Sequence, residues 1–216
     1  METKIIKKSD LSKLFNDLLS SGKVIIAPVR KKSGKVFFAP VSSFEEVTND
    51  YIQTSFSAKS VVFPRTEELF KFKKTSDDII VENTIPQIPD TIIWGLRPCD
   101  SSAFDYINDF FLKENPDAHF AARREKTTLV AISCKNADDA CFCTSVELNP
   151  GSTRGSDILI TMMDDVCYAE ILTKKGDDVI AVSPSLFETS EVKDKTPYLA
   201  TISKTFSIEE IKEKIK

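Results

Sequence analysis

The centre of the fold of this 216-residue chain can be predicted from one segment, Thr91-Ile92-Ile93-Trp94-Gly95-Leu96-Arg97-Pro98-Cys99-Asp100. Its first six residues form an apolar run without polar alternation, which is typical of a β-strand covered on both faces. Asp100 is a good helix N-cap, and a helix after it would carry one apolar stripe made of Ala103, Phe104, Ile107, Phe110 and Phe111. The stretch therefore predicts a buried strand that runs directly into a helix with its stripe in the core.

A second buried-type strand follows at 127–132 and runs into Ser133-Cys134. Strand, helix and strand in this order, with enough chain between them for a crossover, indicate a right-handed βαβ unit. We therefore predict an α/β fold built on a mixed sheet. The βαβ unit should carry a cysteine-rich loop at the carboxyl edge of that sheet.

Local patterns predict the remaining elements. They indicate a helix over 11–19, two hairpins, and a last helix opened by a capping box of Ser207 and Glu210. The hairpins pair 24–29 with 35–41 and 157–162 with 166–172. Further patterns predict a short helix after a capping box of Ser43 and Glu46, a strand over 60–63, a helix over 66–70, a strand over 78–81, a turn over 175–178 and a strand over 179–182.

Composition excludes several classes of protein. Apolar residues make up 41% and charged residues 29%, as in an ordinary globular chain and unlike a disordered or coiled-coil one. A net charge of −4 argues against a nucleic-acid binder that relies on a basic surface. No apolar run approaches the roughly 18 residues of a membrane span, and the first ten residues lack a signal-peptide core. We expect a single domain over 1–216, located in the cytoplasm.

The cysteines are the strongest candidates for chemistry. There are five, an odd number that does not suggest a disulfide framework in a chain of this size. Cys99 and Cys134 follow the carboxyl ends of two predicted parallel strands, the edge where ligands tend to bind. The loop after Cys134 is long enough to bring Cys141 and Cys143 back to the same edge.

Four converging thiolates are typical of an iron–sulfur cluster or of structural zinc. The spacing lacks the Cys-x₂₋₄-Cys pairs of most zinc sites and is not a ferredoxin pattern either. Thiol redox chemistry at Cys141 and Cys143 is a third interpretation, and four unrelated core thiols are a fourth. Cys167, inside an apolar strand, is expected to fill the core, and the single histidine, His119, to be exposed near a helix end.

The residues around the cysteines favour an anionic group. Cys99 lies at a helix N-terminus, whose free N–H groups attract negative charge. Arg97 is two residues away, and Arg123-Arg124 precede the second strand. We expect these neighbours to lower the pKa of the thiols. Phe142 and Pro98 would shield a bound group from water.

Several spaced motifs together resemble one known family. They are Gly95–Asp100, Arg123-Arg124-Glu125, Ile132-Ser133-Cys134, Cys141–Ser145, the segment from Ala58-Lys59 to Glu67, and Gly155-Ser156-Asp157. In order and distance they look like the N-terminal region shared by the hydrogenase/sulfur-reductase (sulfhydrogenase) beta subunit with the A subunit of anaerobic sulfite reductase. The resemblance covers roughly residues 20–180.

The resemblance implies a non-catalytic electron-transfer subunit of an anaerobic oxidoreductase. It implies one [4Fe–4S] cluster with Cys99, Cys134, Cys141 and Cys143 as ligands. The partners would be two other subunits, one that handles flavin and nicotinamide and one that is catalytic. Family members usually continue into a two-cluster ferredoxin domain, and this sequence shows none of its Cys-x₂-Cys-x₂-Cys runs. We expect either a stand-alone version or a ferredoxin part on a separate ferredoxin-type protein, which could take the place of the catalytic subunit as partner. The alternative from the residues alone is a structural zinc module that serves in assembly or docking.

Overall fold

The computed structural model describes residues 2–192 and 194–215. In chain order, its strands are β1 (Glu2–Lys7), β2 (Val24–Arg30), β3 (Val36–Val41), β4 (Phe70–Lys74), β5 (Ile79–Asn83), β6 (Thr91–Leu96), β7 (Thr127–Ile132), β8 (Ile158–Met162), β9 (Val166–Ile171) and β10 (Glu188–Thr189). Its α-helices are α1 (Leu11–Ser20), α2 (Pro98–Leu112), α3 (Ala118–Glu125), α4 (Lys174–Ile180) and α5 (Ile208–Ile215).

Eight of these strands form one mixed sheet in the order β10-β1-β9-β8-β7-β6-β2-β3. The four central strands, β2, β6, β7 and β8, are parallel, and antiparallel strands flank them on both sides. Strands β4 and β5 form a separate hairpin. The predicted α/β class is confirmed. Strands β6 and β7 are adjacent and parallel with α2 and α3 between them in sequence, so the predicted βαβ unit is confirmed as well.

The central strand β6 is buried along its whole length because helices cover both faces of the sheet. Helix α1 packs on one face, where Phe15 meets Trp94 edge to face with ring centroids 5.5 Å apart. Helices α2 and α3 cover the other face through Phe104 and Phe120. The continuous apolar run that predicted this strand therefore reflects two-sided burial.

A bulge at Gly95 ends the regular part of β6. The register with β7 shifts between Trp94 and Leu96, and Gly95 has a φ of +86° that few other residues adopt. In a regular strand, side chains three positions apart point to opposite faces of the sheet. Because of the bulge, Ile93 and Leu96 instead pack in the same core cluster. The bulge sets the direction in which the chain enters α2 and the cysteine edge.

Several shorter predictions are wrong. The segment 60–63 lies in and after a 3-10 helix (Ala58–Val61) and is not a strand, and 66–70 forms no helix. The turn and strand expected over 175–182 do not form, because residues 175–180 belong to helix α4 and residues 181–182 to the turn after it. The Thr173 hydroxyl caps this helix by accepting from the N–H of Gly176. The short helix predicted after Ser43 is present as a 3-10 helix (Phe44–Glu46), but its capping box does not form, because the Glu46 carboxylate accepts from Ser42 instead.

The two ends of α2 also differ from expectation. Arg97, and not Asp100, is the N-cap, so Asp100 lies in the first turn. Phe110, which the stripe predicts to be in the core, is 81% exposed.

The last helix, α5, follows its predicted capping box, in which Ser207 and Glu210 each accept a hydrogen bond from the other's backbone N–H.

Candidate metal centre

Cys99 is positioned by the junction between β6 and α2. It is the second residue of the helix, directly after Pro98. The residue as a whole is exposed, yet protein packed around its sulfur raises the pKa of the thiol to about 11, with a further contribution from the Asp100 carboxylate. Backbone N–H groups of the first turn act in the opposite direction and favour the thiolate.

The loop before β8 holds that first turn in place. Ser156 donates a hydrogen bond of 3.0 Å to Ser101, and Ser101 donates one of 3.2 Å to the carbonyl of Arg154. Gly155, with a φ of +74°, approaches the helix so closely that a Cβ there would lie 2.7 Å from the carbonyl carbon of Ser101. The absence of a side chain at Gly155 therefore lets the loop clamp the turn that carries Cys99.

Cys134 lies two residues beyond the end of β7, at the start of the long crossover to β8. Its backbone N–H donates to the carbonyl of Pro150 at 2.9 Å, and its carbonyl accepts from Ala200 at 2.7 Å. Burial raises the pKa of its thiol to about 12, and the nearby Arg97 partly opposes this rise. The other three thiols of the group also raise this pKa, which is consistent with each of them lying within electrostatic range of the Cys134 sulfur.

Cys141 and Cys143 lie in the crossover loop on either side of Phe142. The backbone N–H of Cys141 donates to the Asp138 carbonyl at 3.1 Å, and the Cys141 thiol donates to the Asp138 carboxylate at 3.3 Å. Cys143 begins a 3-10 helix (Cys143–Val146). This turn and this short helix bring both cysteines back over the sheet edge.

All four cysteines line one cavity of about 500 Å³ at the carboxyl edge of the sheet. They come from three places in the chain: the start of α2, the end of β7 and the loop beyond it. All five cysteines of the protein are free thiols. The structure therefore brings the four predicted ligand residues to one cavity.

The four cysteines offer sulfur as the metal-binding atom, and a cavity of about 500 Å³ has room for a group much larger than one ion. Four thiols that can each bind a different iron atom suit an iron–sulfur cluster. Within residues 2–192 and 194–215, no three histidine, cysteine, aspartate or glutamate side chains are already grouped closely enough to hold a single metal ion. The donor chemistry and the volume together fit a cluster.

A buried cation stands beside the cavity. The Arg97 guanidinium stacks over the Tyr51 ring at 4.0 Å and donates to the Tyr51 carbonyl. The Tyr51 hydroxyl in turn donates to the carbonyl of Gly95 in the bulge. Arg97 is only 8% exposed, and its buried Nε has no hydrogen-bond partner among the described residues. A fixed positive charge at this position favours a negatively charged group in the cavity.

The segment 200–206, which we call the C-terminal cover, lies across the cysteine loop. Its first residue, Ala200, bonds to Cys134, and Ile202 lines the cavity. Its far end is fixed by Ser145, whose hydroxyl accepts from the N–H groups of Thr205 at 2.8 Å and Phe206 at 3.3 Å. The cover therefore forms one wall of the cavity.

Removing the Ser145 hydroxyl should loosen the C-terminal cover. Because Ser145 is buried and satisfies two backbone donors, we expect Ser145→Ala to cost about 1–3 kcal/mol in local stability. In reduced, metal-free protein, alkylation of Cys143 by iodoacetamide should then be roughly tenfold faster, as a change of about 1.4 kcal/mol would give.

Thr144→Ala is the matched control for this variant. Thr144 donates to the Ser203 carbonyl at 3.2 Å from an exposed position, so its loss should cost at most about 0.5 kcal/mol. Because Ser203 also belongs to the C-terminal cover, equal alkylation rates in the two variants would show that the hydrogen bonds of Ser145 hold the cover no more strongly than the single bond of Thr144.

Two roles are open to the arginine pair of the α3–β7 junction, a salt-bridged patch or an action on the thiols, and the structure favours the salt-bridged patch. Arg123 forms an ion pair with Glu67, and Arg124 donates to the Thr127 carbonyl at 2.7 Å. Both lie at the amino end of β7, whereas Cys134 follows its carboxyl end, about 20 Å away for a six-residue strand. Their role in the described structure is to tie the segment 58–67 and helix α3 to the sheet.

Arg97 and the first turn of α2 shift the thiol pKa in the expected direction, but they do not determine the net shift. Burial raises the pKa of Cys99, Cys134 and Cys143, and in each case it outweighs every favourable neighbour. Reactive redox thiols have the opposite character, because the thiolate is the nucleophile. The arrangement thus does not favour thiol redox chemistry at Cys143.

The remaining two candidate residues lie away from the cavity. Cys167 is fully buried in β9, where it fills the core as the sequence predicted. His119 is half-buried near the start of α3, so the prediction that it is exposed is wrong. Tyr51 and the C-terminal cover were not among the predicted site residues.

A comparison of the sequence with models of known protein families and with curated proteins finds no match. None of the helices in the described part of the chain has the length and apolar character needed to cross a lipid bilayer.

Proposed function

We propose that this protein is an electron-transfer subunit of an anaerobic oxidoreductase and holds one [4Fe–4S] cluster on Cys99, Cys134, Cys141 and Cys143. One observation carries the proposal: four cysteines that are separated in sequence line a single cavity of about 500 Å³ at the carboxyl edge of the sheet. A bound cluster would supply reversible one-electron transfer. The protein itself is not expected to bind a substrate.

The surroundings of the cavity suit this role. Arg97 places a fixed positive charge beside it, and the first turn of α2 adds backbone N–H groups at Cys99. Both stabilise negative charge and would raise the reduction potential of a cluster with thiolate ligands. Phe142 and Ile202 of the C-terminal cover line the cavity, and the Phe142 ring lies 5.9 Å from the ring of Phe206, so this side of the cavity is apolar.

The motif resemblance supports the same proposal and extends it. If the chain acts as the matching subunits of sulfhydrogenase and anaerobic sulfite reductase do, it connects two other subunits by electron transfer. One of these is catalytic, and the other handles flavin and nicotinamide. A ferredoxin-type protein is a further candidate partner in such a complex. We place such a complex in the cytoplasm.

Purification without oxygen tests the proposal directly. The protein should be brown, absorb broadly near roughly 400 nm, and contain about four iron and four sulfide ions per chain. A colourless protein with about one zinc ion per chain would instead support a structural zinc module without a redox role. Metal analysis of the same anaerobic sample distinguishes the iron–sulfur cluster from the zinc site.

A further inference from the structure

A second cavity opens on the surface beside the cysteine cavity, and we call it the basic groove. It measures about 530 Å³, and its wall includes Phe37, Phe56, Phe63, Ser57, Lys59 and Arg65. Phe56 is 59% exposed and Phe63 is 48% exposed, so the groove presents large aromatic surfaces to solvent. Exposed apolar surface of this kind next to charged residues marks interaction sites.

The charges of the groove are positive and available. Lys59 and Arg65 are exposed, and neither forms an ion pair within residues 2–192 and 194–215. The guanidinium of Arg65 lies over the Phe56 ring at 5.3 Å, which keeps the charge at the groove.

The nearest acidic residues in sequence are already paired. Glu67 is held by Arg123, and Glu68 is held by Lys71 at 3.2 Å. A positive groove on a chain with a net charge of −4 is a local exception to its overall charge. Such a patch steers acidic partners towards one orientation.

The groove is continuous with the candidate metal centre. Phe56 and Ser57 line both the groove and the cysteine cavity. A partner seated on the groove would therefore be separated from that cavity by little more than one layer of side chains. Electron transfer requires the redox groups of the two proteins to come close together. The interfaces of electron-transfer complexes are small, and the complexes are transient.

We propose that the basic groove is the docking surface for an acidic redox protein that exchanges electrons with the cysteine centre. Lys59 and Arg65 would contact carboxylates of the partner, and the exposed rings of Phe56 and Phe63 would form the apolar centre of the interface. Aromatic residues and arginine are the side chains that dominate such interfaces. The inference rests on the proposed function, because the cavity must hold a redox group for the docking to transfer electrons.

The test measures binding of an acidic bacterial two-cluster ferredoxin by titration calorimetry, without oxygen, to both the cluster-loaded and the metal-free chain. The variant carries Lys59→Glu and Arg65→Glu. At an ionic strength of about 0.02 M we expect wild-type binding that weakens strongly at about 0.5 M, because salt screens exposed charges. The variant should bind at least about tenfold more weakly than the wild type at low ionic strength.

The matched control carries Lys7→Glu and Lys13→Glu, which changes the net charge by the same amount. Lys7 lies in β1, near the opposite end of the sheet from β3, and Lys13 lies on α1, on the opposite face from α2. The control should stay within about threefold of the wild-type affinity. Equal losses in both variants, or no binding by the wild-type chain, would overturn the inference.

The two proposals fail in different ways. A chain that contains no iron after anaerobic purification overturns the proposed cluster, whereas groove-dependent binding can still be measured on the metal-free chain. A chain that holds its cluster but binds the ferredoxin equally with and without Lys59 and Arg65 overturns the docking surface alone.

Discussion

Replacing Cys134 and Cys143 together by alanine is expected to reduce the iron content of anaerobically purified protein from about four atoms per chain to near zero. Both side chains line the same cavity as Cys99 and Cys141. Two thiols cannot anchor a cluster that needs a ligand on each of its iron atoms. The absorption near roughly 400 nm should disappear with the iron.

The control for this result is Cys167→Ala. Cys167 is fully buried in β9 and lies outside the cavity, so its replacement removes a core sulfur and costs about 1 kcal/mol of folding free energy. Its iron content should stay at the wild-type value. Iron that persists in the double variant, or that is lost equally in Cys167→Ala, would contradict the assignment of the four ligands.

The second large effect is expected for Gly155→Ala. The added Cβ would overlap the backbone carbonyl of Ser101 in the first turn of α2, and the positive φ of Gly155 adds strain. Since a backbone carbonyl cannot move away alone, the loop and the turn must separate. We expect a loss of at least about 3 kcal/mol in the free energy of unfolding, measured by urea denaturation.

Gly34→Ala separates the two causes of this loss. Gly34 has a similar φ of +80°, but no atom lies within 4 Å of a Cβ built there. Its replacement should cost only about 1–2 kcal/mol, which is the strain of the left-handed backbone alone. A cost at Gly155 no larger than at Gly34 would show that the clamp on the Cys99 turn is weak.

The central part of the fold was predictable from local patterns. Strands β6 and β7 are apolar on both faces and lie on either side of a helix, so their pattern and order together specify adjacent parallel strands. Cys99 and Cys134 could be placed at one sheet edge because each follows such a strand directly. The Cys-Phe-Cys segment could be expected nearby from loop length alone.

The walls of the cavity depend on contacts between distant residues, which local patterns do not contain. Tyr51 meets Gly95 and Arg97 across more than 40 positions, and Ser145 meets the C-terminal cover across about 60. Glu67 and Arg123 likewise pair across 56 positions, so Arg123 could not be assigned from its place before β7.

Prediction from local sequence patterns also failed where one segment carried signals for both a turn and a helix. In α4, Gly176 and two aspartates suggested a turn, but the Thr173 cap and the burial of Val179 and Ile180 stabilise a helix. Gly176 is also needed there for close packing, because a Cβ would approach Ile158 at 3.0 Å. Tertiary contacts thus outweighed the weak propensity of the segment.

The C-terminal cover has a consequence for the order of events during translation. Every cysteine of the cavity precedes residues 200–206 in the chain, so the ribosome completes the sulfur ligands well before it produces the wall that covers them. A chain that has not yet placed residues 200–206 therefore has its cysteine cavity open on that side. Delivery of a preassembled inorganic core would meet the least steric hindrance at this stage, and synthesis of the cover would then enclose it.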